Sequence, residues 1–181
     1  MKTITQTKTF LNPEALLKEV GVEAGMIVAD FGCGNGYYSV AAGSLVGKKG
    51  QIHSLDVLEE ALSQTATLAK LVRLTNVATR LCDLETFGSS GLADGSCDLV
   101  IIASLLHQVE KTDEVVREAY RVLRTGGKTL VVEWKNDAPI GPDAKNRVPE
   151  KNAGVLLEKY GFRPISELPA GSFHYALLYE K

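Results

Sequence analysis

The sequence predicts an α/β fold: a doubly wound, mostly parallel sheet with one antiparallel hairpin at its C-terminal edge. Three observations carry this. Short apolar runs alternate with stretches of helical spacing as far as Trp134. Most of those runs are continuously apolar, as strands covered on both faces are. The last two runs are joined only by Pro169-Ala170-Gly171-Ser172, too short for a crossover, so they must pair antiparallel.

The elements follow in order. Asn12-Pro13-Glu14 opens a helix with a cap, a proline suited to the first helical position and an acid in the first turn; it ends at Gly21. Met26 to Phe31 is a buried strand, Tyr38 to Val46 a helix and Gln51 to Asp56 a second strand. Leu58 to Leu74 places Leu58, Ala61, Leu62, Thr65, Leu68, Ala69 and Val72 on one helical stripe. Val77 to Cys82 and Cys97 to Ala103 are the third and fourth strands, the latter apolar enough to be central. Thr112 to Leu123 is a helix, closed by the cationic turn and glycine stop of Arg124-Thr125-Gly126-Gly127. Lys128 to Trp134 is the fifth strand. After a helix from Pro149 to Tyr160, the strands Phe162 to Leu168 and Phe173 to Tyr179 form the hairpin.

Composition bounds the function. With 181 residues, 45% hydrophobic and 23% charged, the chain reads as one globular domain, 1–181. Its apolar runs are too short to span a bilayer, and Met1 to Thr9 lacks the apolar core of a secretory signal. A net charge of −2 supplies no global field for nucleic acid or anionic lipid. The three cysteines, Cys33, Cys82 and Cys97, show no C-x-x-C spacing, which argues against a disulfide framework or a metal site. Free thiols fit a reducing compartment, so a cytoplasmic location is expected.

Parallel sheets bind ligands outside the carboxyl ends of their strands. After the first strand comes Asp30-Phe31-Gly32-Cys33-Gly34-Asn35-Gly36-Tyr37. Its glycines let backbone approach a ligand, and the helix that follows offers free N–H groups. The spacing is G-x-G-x-G, with Tyr37 where a dinucleotide fingerprint needs its last small residue, which disfavours NAD and FAD. Asp56 ends the second strand about twenty residues on, where an acid accepts ribose hydroxyls. Asp83 ends the third, where a carboxylate can accept from an exocyclic amine, and Ala103-Ser104 ends the fourth. Any one of these acids could be a helix cap; in sequence along one sheet edge they outline a nucleoside with a small charged tail.

These residues carry a family resemblance. The chain resembles the class I S-adenosylmethionine-dependent methyltransferases, of the ubiquinone/menaquinone-biosynthesis (type 11) kind, over roughly Leu16 to Trp134. Val28 to Gly36 resembles the family's first motif, Asp56 its ribose acid, Cys82-Asp83-Leu84 its adenine segment, Asp94 to Val100 its fourth-strand segment and Arg121 to Gly127 its turn into the fifth strand. The resemblance implies a Rossmann-like sheet of seven strands in the order 3-2-1-4-5-7-6. It implies that Asp30 engages the methionine amino group, that Gly32, Gly34 and Gly36 admit the cofactor, and that Asp56 holds the ribose. Asp83 and Leu84 would meet the adenine, and Ser104 the methionine carboxylate end. Cys33 and Val57, inside the same motifs, complete the expected cofactor set. Phe31 departs from the usual small aliphatic residue, a packing matter. The family's N-terminal substrate cap is expected to be reduced to a flexible lid over residues 1–11.

S-adenosylmethionine is already an activated methyl donor, so alignment, water exclusion and proton removal suffice. His107, just after the fourth strand, is the candidate base; His53 and His174 are read as structural. Phe10, Tyr37 and Trp134 are the residues expected to face the acceptor, with Tyr38 as the alternative to Tyr37. The unpatterned stretch from Lys135 to Glu150 is mildly basic, through Lys135, Lys145 and Arg147, and could suit an acidic acceptor. Three scattered cysteines speak against an arsenite methyltransferase. A small-molecule acceptor is the leading expectation. A protein or RNA methyltransferase stays open, although Ser104-Leu105-Leu106-His107 replaces the Asn/Asp-Pro-Pro-aromatic motif of base and glutamine methylases. So does a non-catalytic S-adenosylmethionine-binding module or subunit. A dinucleotide oxidoreductase comes last.

Overall fold

The structure is a computed structural model describing residues 10–181. Most of the expected lid therefore lies outside the described residues. The elements are α1 (Pro13–Val20), β1 (Ile27–Phe31), α2 (Tyr37–Val46), β2 (Gln51–Asp56), α3 (Glu59–Leu71), β3 (Val77–Leu81), β4 (Cys97–Ala103), α4 (Thr112–Val122), β5 (Leu123–Trp134), α5 (Glu150–Lys159), β6 (Arg163–Leu168) and β7 (His174–Glu180). Asn12 caps α1 as its position predicts, its Oδ1 accepting from the Ala15 amide at 3.1 Å. Gly21 closes that helix at φ +85°, a conformation that costs other residues more than glycine.

The seven strands lie in the order β3-β2-β1-β4-β5-β7-β6. Every neighbouring pair through β5 is parallel, and β7 runs antiparallel to both β5 and β6. Strand order reverses between β1 and β4, so the loops after them part and leave a crevice.

Side chains alternate between two cores. On one face Val28, Ile52, Leu99, Ile101, Leu130, Val132, Ala176 and Leu178 pack under α1 and α2, with α3 beside α2. On the other, Phe31, Val100, Ile102, Val131, Tyr175 and Leu177 pack under α4 and α5. This alternation decides which strand-end residues share a compartment. By their place in the pleat, Asp30, Asp56, Trp134 and His174 fall on the α1–α2 side, and Glu133 on the α4–α5 side.

The largest departure from the expected boundaries is at β5. Arg124 to Gly127 is not a terminator between α4 and a strand at Lys128, because β5 begins at Leu123, which pairs with Cys97. The next pair is Leu99 with Lys128, so Arg124 to Gly127 bulge out of the ladder. The glycines serve that bulge: Gly126 at φ +73° donates to the Lys181 carbonyl, and the Lys181 amide returns a bond to Gly127.

Candidate active site

A cavity of about 1110 Å³ opens at the carboxyl ends of the parallel strands and the amino end of β7, lined from β1, β2, β4, β5 and β7, from the segment just after β3 and from the N-terminal parts of α1, α2 and α3. That is room for a nucleoside-sized ligand beside a second small molecule.

The loop after β1 is stitched across the sheet. The amides of Gly32 and Cys33 both donate to the Leu55 carbonyl, at 2.8 and 2.9 Å, and Thr65 on α3 donates to the Gly34 carbonyl at 3.1 Å. Gly34, at φ +49°, is the point where backbone is barest: a Cβ there would meet nothing within 4 Å. Gly36, at φ +79°, is needed for the opposite reason, since a Cβ would lie 2.9 Å from the Thr65 Cα. It stands behind the loop and does not line the cavity.

Asp56 links this loop to β2. Its Oδ2 accepts from the Gly34 amide at 2.9 Å and its Oδ1 from the Leu58 amide at 3.0 Å. Each carboxylate oxygen keeps a further lone pair, and the residue lines the cavity, so vicinal hydroxyls can be received there. Asp30 is buried and doubles as the cap of α2. Its Oδ2 accepts from the Ser39 hydroxyl at 2.6 Å, and the Ser39 amide also donates to it. Burial, with the Asp56 charge adding to it, pushes the Asp30 carboxyl up to about 6. A cation beside it would relieve that penalty.

Asp83 forms a tight turn, its Oδ1 accepting from the Glu85 amide at 2.9 Å. It lines the cavity with Cys82 and Leu84. Opposite them Val57 and Leu58, 61% and 62% exposed, present apolar side chains to the same space. Apolar walls with a carboxylate at the rim suit a flat heterocycle bearing an amine. Ser104 sits at φ +53°, its amide donating to the Val132 carbonyl at 2.8 Å, and it too lines the cavity. The set therefore fits S-adenosylmethionine: bare backbone at Gly34, a buried acid for its cationic end, and Asp56 for its ribose. The Tyr38 hydroxyl, at the cavity wall, is buried with no partner.

Two expected residues stand elsewhere. His107 does not line the cavity: its Nδ1 lies 2.7 Å from Glu133 Oε2, on the α4–α5 side of the sheet, while Glu133 Oε1 accepts from the Leu106 amide at 2.7 Å. Following β4 in sequence, the chain turns away beneath the sheet end. Phe10 is 76% exposed and packs on Phe173, ring centroids 5.7 Å apart; Leu11 and Pro13 line the cavity instead. Tyr37 and Trp134 do line it. So does His174, read from sequence as structural, whose ring lies 4.1 Å from that of Trp134. Its signal was available in the pleat, since His174 pairs directly with Trp134 across β5 and β7.

The mildly basic stretch after β5 is organised around one side chain. Arg147 donates to the carbonyls of Lys135, Asn136, Ala138, Ile140 and Pro142 at 2.8–3.1 Å. Lys145 is 3.3 Å from Asp143. Neither faces the cavity, whose lining holds Asp30, Asp56, Glu60, Asp83 and Glu85 but, among the described residues, no lysine or arginine. Cys33 and Cys82 line it as buried thiols, which burial pushes up to about 12 and about 11.

Comparison with known proteins agrees with this geometry. A family model described as "Methyltransferase domain" matches residues 22–159. An arsenite methyltransferase of Aquipseudomonas alcaligenes is 34% identical over 108 residues, 58% of this chain and 31% of that protein. A demethylmenaquinone methyltransferase of Oceanobacillus iheyensis is 28% identical over 129 residues, 69% of this chain and 51% of that one. The chain thus spans about half or less of the length of these relatives. A SAM-dependent methyltransferase from Aquifex aeolicus superimposes with a TM-score of 0.86 at 26% identity, over 94% of this chain and 89% of the other. The [4+2]-cyclase SpnF, at 15% identity and a TM-score of 0.78 over 93% of this chain and 79% of its own, shares the fold. Strand order, glycine loop and strand-end acids meet in one assignment: the chain belongs to the methyltransferase domain family, of the class I S-adenosylmethionine-dependent kind.

Proposed function

We propose that the chain is a single methyltransferase domain that transfers a methyl group from S-adenosylmethionine to a small, uncharged acceptor. The observation that carries this is Asp56, which grips the Gly34 amide while facing the cavity, with Asp30 and Asp83 on the flanking strand ends. The cofactor supplies an electrophilic methyl on a sulfonium. The protein's share is binding and alignment. Asp30 would hold the cationic end, Asp56 the ribose, and Val57, Leu58 and Leu84 the base, which would leave the part of the cavity over β4 and β5 for the acceptor.

The acceptor then lies over β4, β5 and β7, between Tyr38, Trp134 and His174. Five carboxylates with, among the described residues, no lysine or arginine beside them disfavour phosphates and carboxylates as acceptors, which favours a neutral small molecule over nucleic acid. Raised thiols weigh against arsenite, which is bound by thiolates. Among the described residues no helix is long and apolar enough to cross a membrane, and the cysteines are free, in keeping with a cytoplasmic enzyme.

Two measurements test this reading. Calorimetry should show S-adenosylhomocysteine binding, and labelled methyl from S-adenosylmethionine should enter the metabolite fraction of a cell extract. Label in protein or nucleic acid would overturn the small-molecule reading. Binding with no label anywhere would leave a non-catalytic cofactor module.

A further inference from the structure

The cofactor residues occupy the ends of β1, β2 and β3, yet the cavity continues over two further strands. Between β4 and β7 lie two strand spacings, about 10 Å, the span of a one- or two-ring molecule. At the far end stand Trp134 and His174, directly paired across the strands and on the cavity side of the pleat. Gly141, at φ +101°, presses the 135–147 loop against the back of the indole, so close that a Cβ would come within 2.5 Å of the ring. That loop is in turn pinned by Arg147. The pair is a rigid wall.

Among the described residues of this outer half, His174 is the one imidazole; the other titratable group, the Tyr38 phenol, is pushed up by burial and cannot act as a base. Among the described residues its Nδ1 is buried with no hydrogen-bond partner, and its ring stacks on Trp134. Nε2 is neither buried without a partner nor hydrogen-bonded, so on a cavity-lining residue it is the nitrogen open to a ligand. Burial holds the ring below the ordinary imidazole range, hence neutral at pH 7. The charges acting on it are Glu133 on β5 and Lys135 just past it, opposed in sign. Asp30 lines the same cavity; β6 brings Leu168 beside Ala176, with Glu167 one residue further, and the 10–13 segment brings no charge. His107, by contrast, is occupied by Glu133 on the opposite side of the sheet.

We propose, on the methyl-transfer reading above, that His174 rather than His107 takes the acceptor's proton, through Nε2, from an uncharged molecule whose N–H, O–H or S–H heteroatom is seated against Trp134. As the heteroatom bonds to the methyl carbon, the S–CH₃ bond breaks with its electron pair left on sulfur. The heteroatom's proton passes to Nε2, and from the imidazolium to water at the cavity mouth. For this the neutral ring carries its hydrogen on the sealed Nδ1 and leaves the Nε2 lone pair free.

The tautomer tests this without any acceptor. Protein labelled with ¹⁵N-histidine, with the His174 signals assigned by their loss in His174→Gln, should show the Nδ1–H form at pH 7 and protonate below the usual imidazole range. A dominant Nε2–H form would overturn the proposal. Calorimetry with S-adenosylhomocysteine should give His174→Gln an affinity within about twofold of the parent. In the labelled-methyl assay on extract metabolites, His174→Gln should lower transfer about 100-fold, the ordinary scale for loss of a general base. With S-adenosylmethionine saturating at every pH, so that the titration of Asp30 does not enter, it should also abolish the acid limb of the pH profile, whereas His107→Gln keeps that limb. Transfer by His174→Gln equal to the parent would overturn the proton role and leave the methyltransferase reading intact. Failure of the parent itself to bind S-adenosylhomocysteine or to transfer label would overturn that reading, while the tautomer result would still stand by itself.

Discussion

Glu133 holds His107 from beneath the sheet: one carboxylate oxygen lies 2.7 Å from the imidazole Nδ1 and the other accepts the Leu106 amide, with the glutamate side chain fully buried. The pair fastens the turn after β4, from which Ser104 and Leu105 reach the cavity. Glu133→Ala should therefore cost about 1–3 kcal/mol in chemical denaturation, the range for stranding buried donors. S-adenosylhomocysteine affinity should change far less than stability. A variant as stable as the parent would remove the fastening role.

Asp56→Ala should weaken S-adenosylhomocysteine binding by about 1–3 kcal/mol, roughly 5- to 150-fold, through lost ribose bonds and a freed Gly34 amide. Calorimetry reads this directly. Unchanged affinity would sink the ribose assignment.

Asp30 makes cofactor affinity depend on pH. Its folded carboxyl titrates near 6 against an ordinary value of 3.8, so folding takes up a proton between those two values. The sign is that of a raised pKa: its contribution to stability is complete below about 4 and is lost as pH rises through about 6. Two units at about 1.4 kcal/mol each set a ceiling near ~3 kcal/mol. A cationic ligand needs the ionised form, so S-adenosylhomocysteine affinity should be level from pH 7 to 8 and fall below 6, by up to about tenfold per unit. Asp30→Asn should flatten that profile and stabilise the unliganded protein at pH 7 relative to pH 5.

Two glycines of one loop should fail differently. Gly34→Ala meets open space, so the protein should fold at a cost of about 1–2 kcal/mol for the left-handed backbone, yet bind cofactor poorly because the methyl enters the cavity. Gly36→Ala collides with the Thr65 backbone and should lose more stability. Melting and calorimetry on both variants separate the two effects.

Arg147→Ala should release the 135–147 loop, seen as faster amide exchange and proteolysis there, with about 1–3 kcal/mol lost overall. Arg147→Lys should rescue little, because an ammonium cannot serve five carbonyls arranged around a planar fork. Full rescue by lysine would show that charge alone orders the loop.

Much of this was legible in the chain. The strands Gln51–Asp56 and Cys97–Ala103 are read to the residue, because Gly50 and Asp56 bound the first and the apolar run Leu99 to Ala103 carries the second. The residues expected at the cofactor end, Gly36 apart, do line one cavity, since they follow their strands directly. What failed depended on direction. His107 is close to β4 in sequence but turns to the other side of the sheet, where Glu133 receives it. His174 is far in sequence and was passed over, although its pairing with Trp134 puts it in the cavity. Arg147 read only as one charge of a basic stretch, because its partners are main-chain carbonyls that any residue supplies. Gly126 and Gly127 read as a stop because a bulge and a helix terminus ask for the same backbone freedom.

Glu133 and Trp134 are consecutive residues with their backs to each other, and that makes the sheet a bulkhead. On one side a sealed carboxylate anchors the floor; on the other an indole shapes the chamber. Tailoring at Trp134, Tyr38 or His174 can recut what the chamber admits without loosening the anchor one peptide bond away. Inserting a single residue into the outer half of β5 would do the reverse, turning the glutamate into the chamber and the indole into the floor, and so would spoil both with one change.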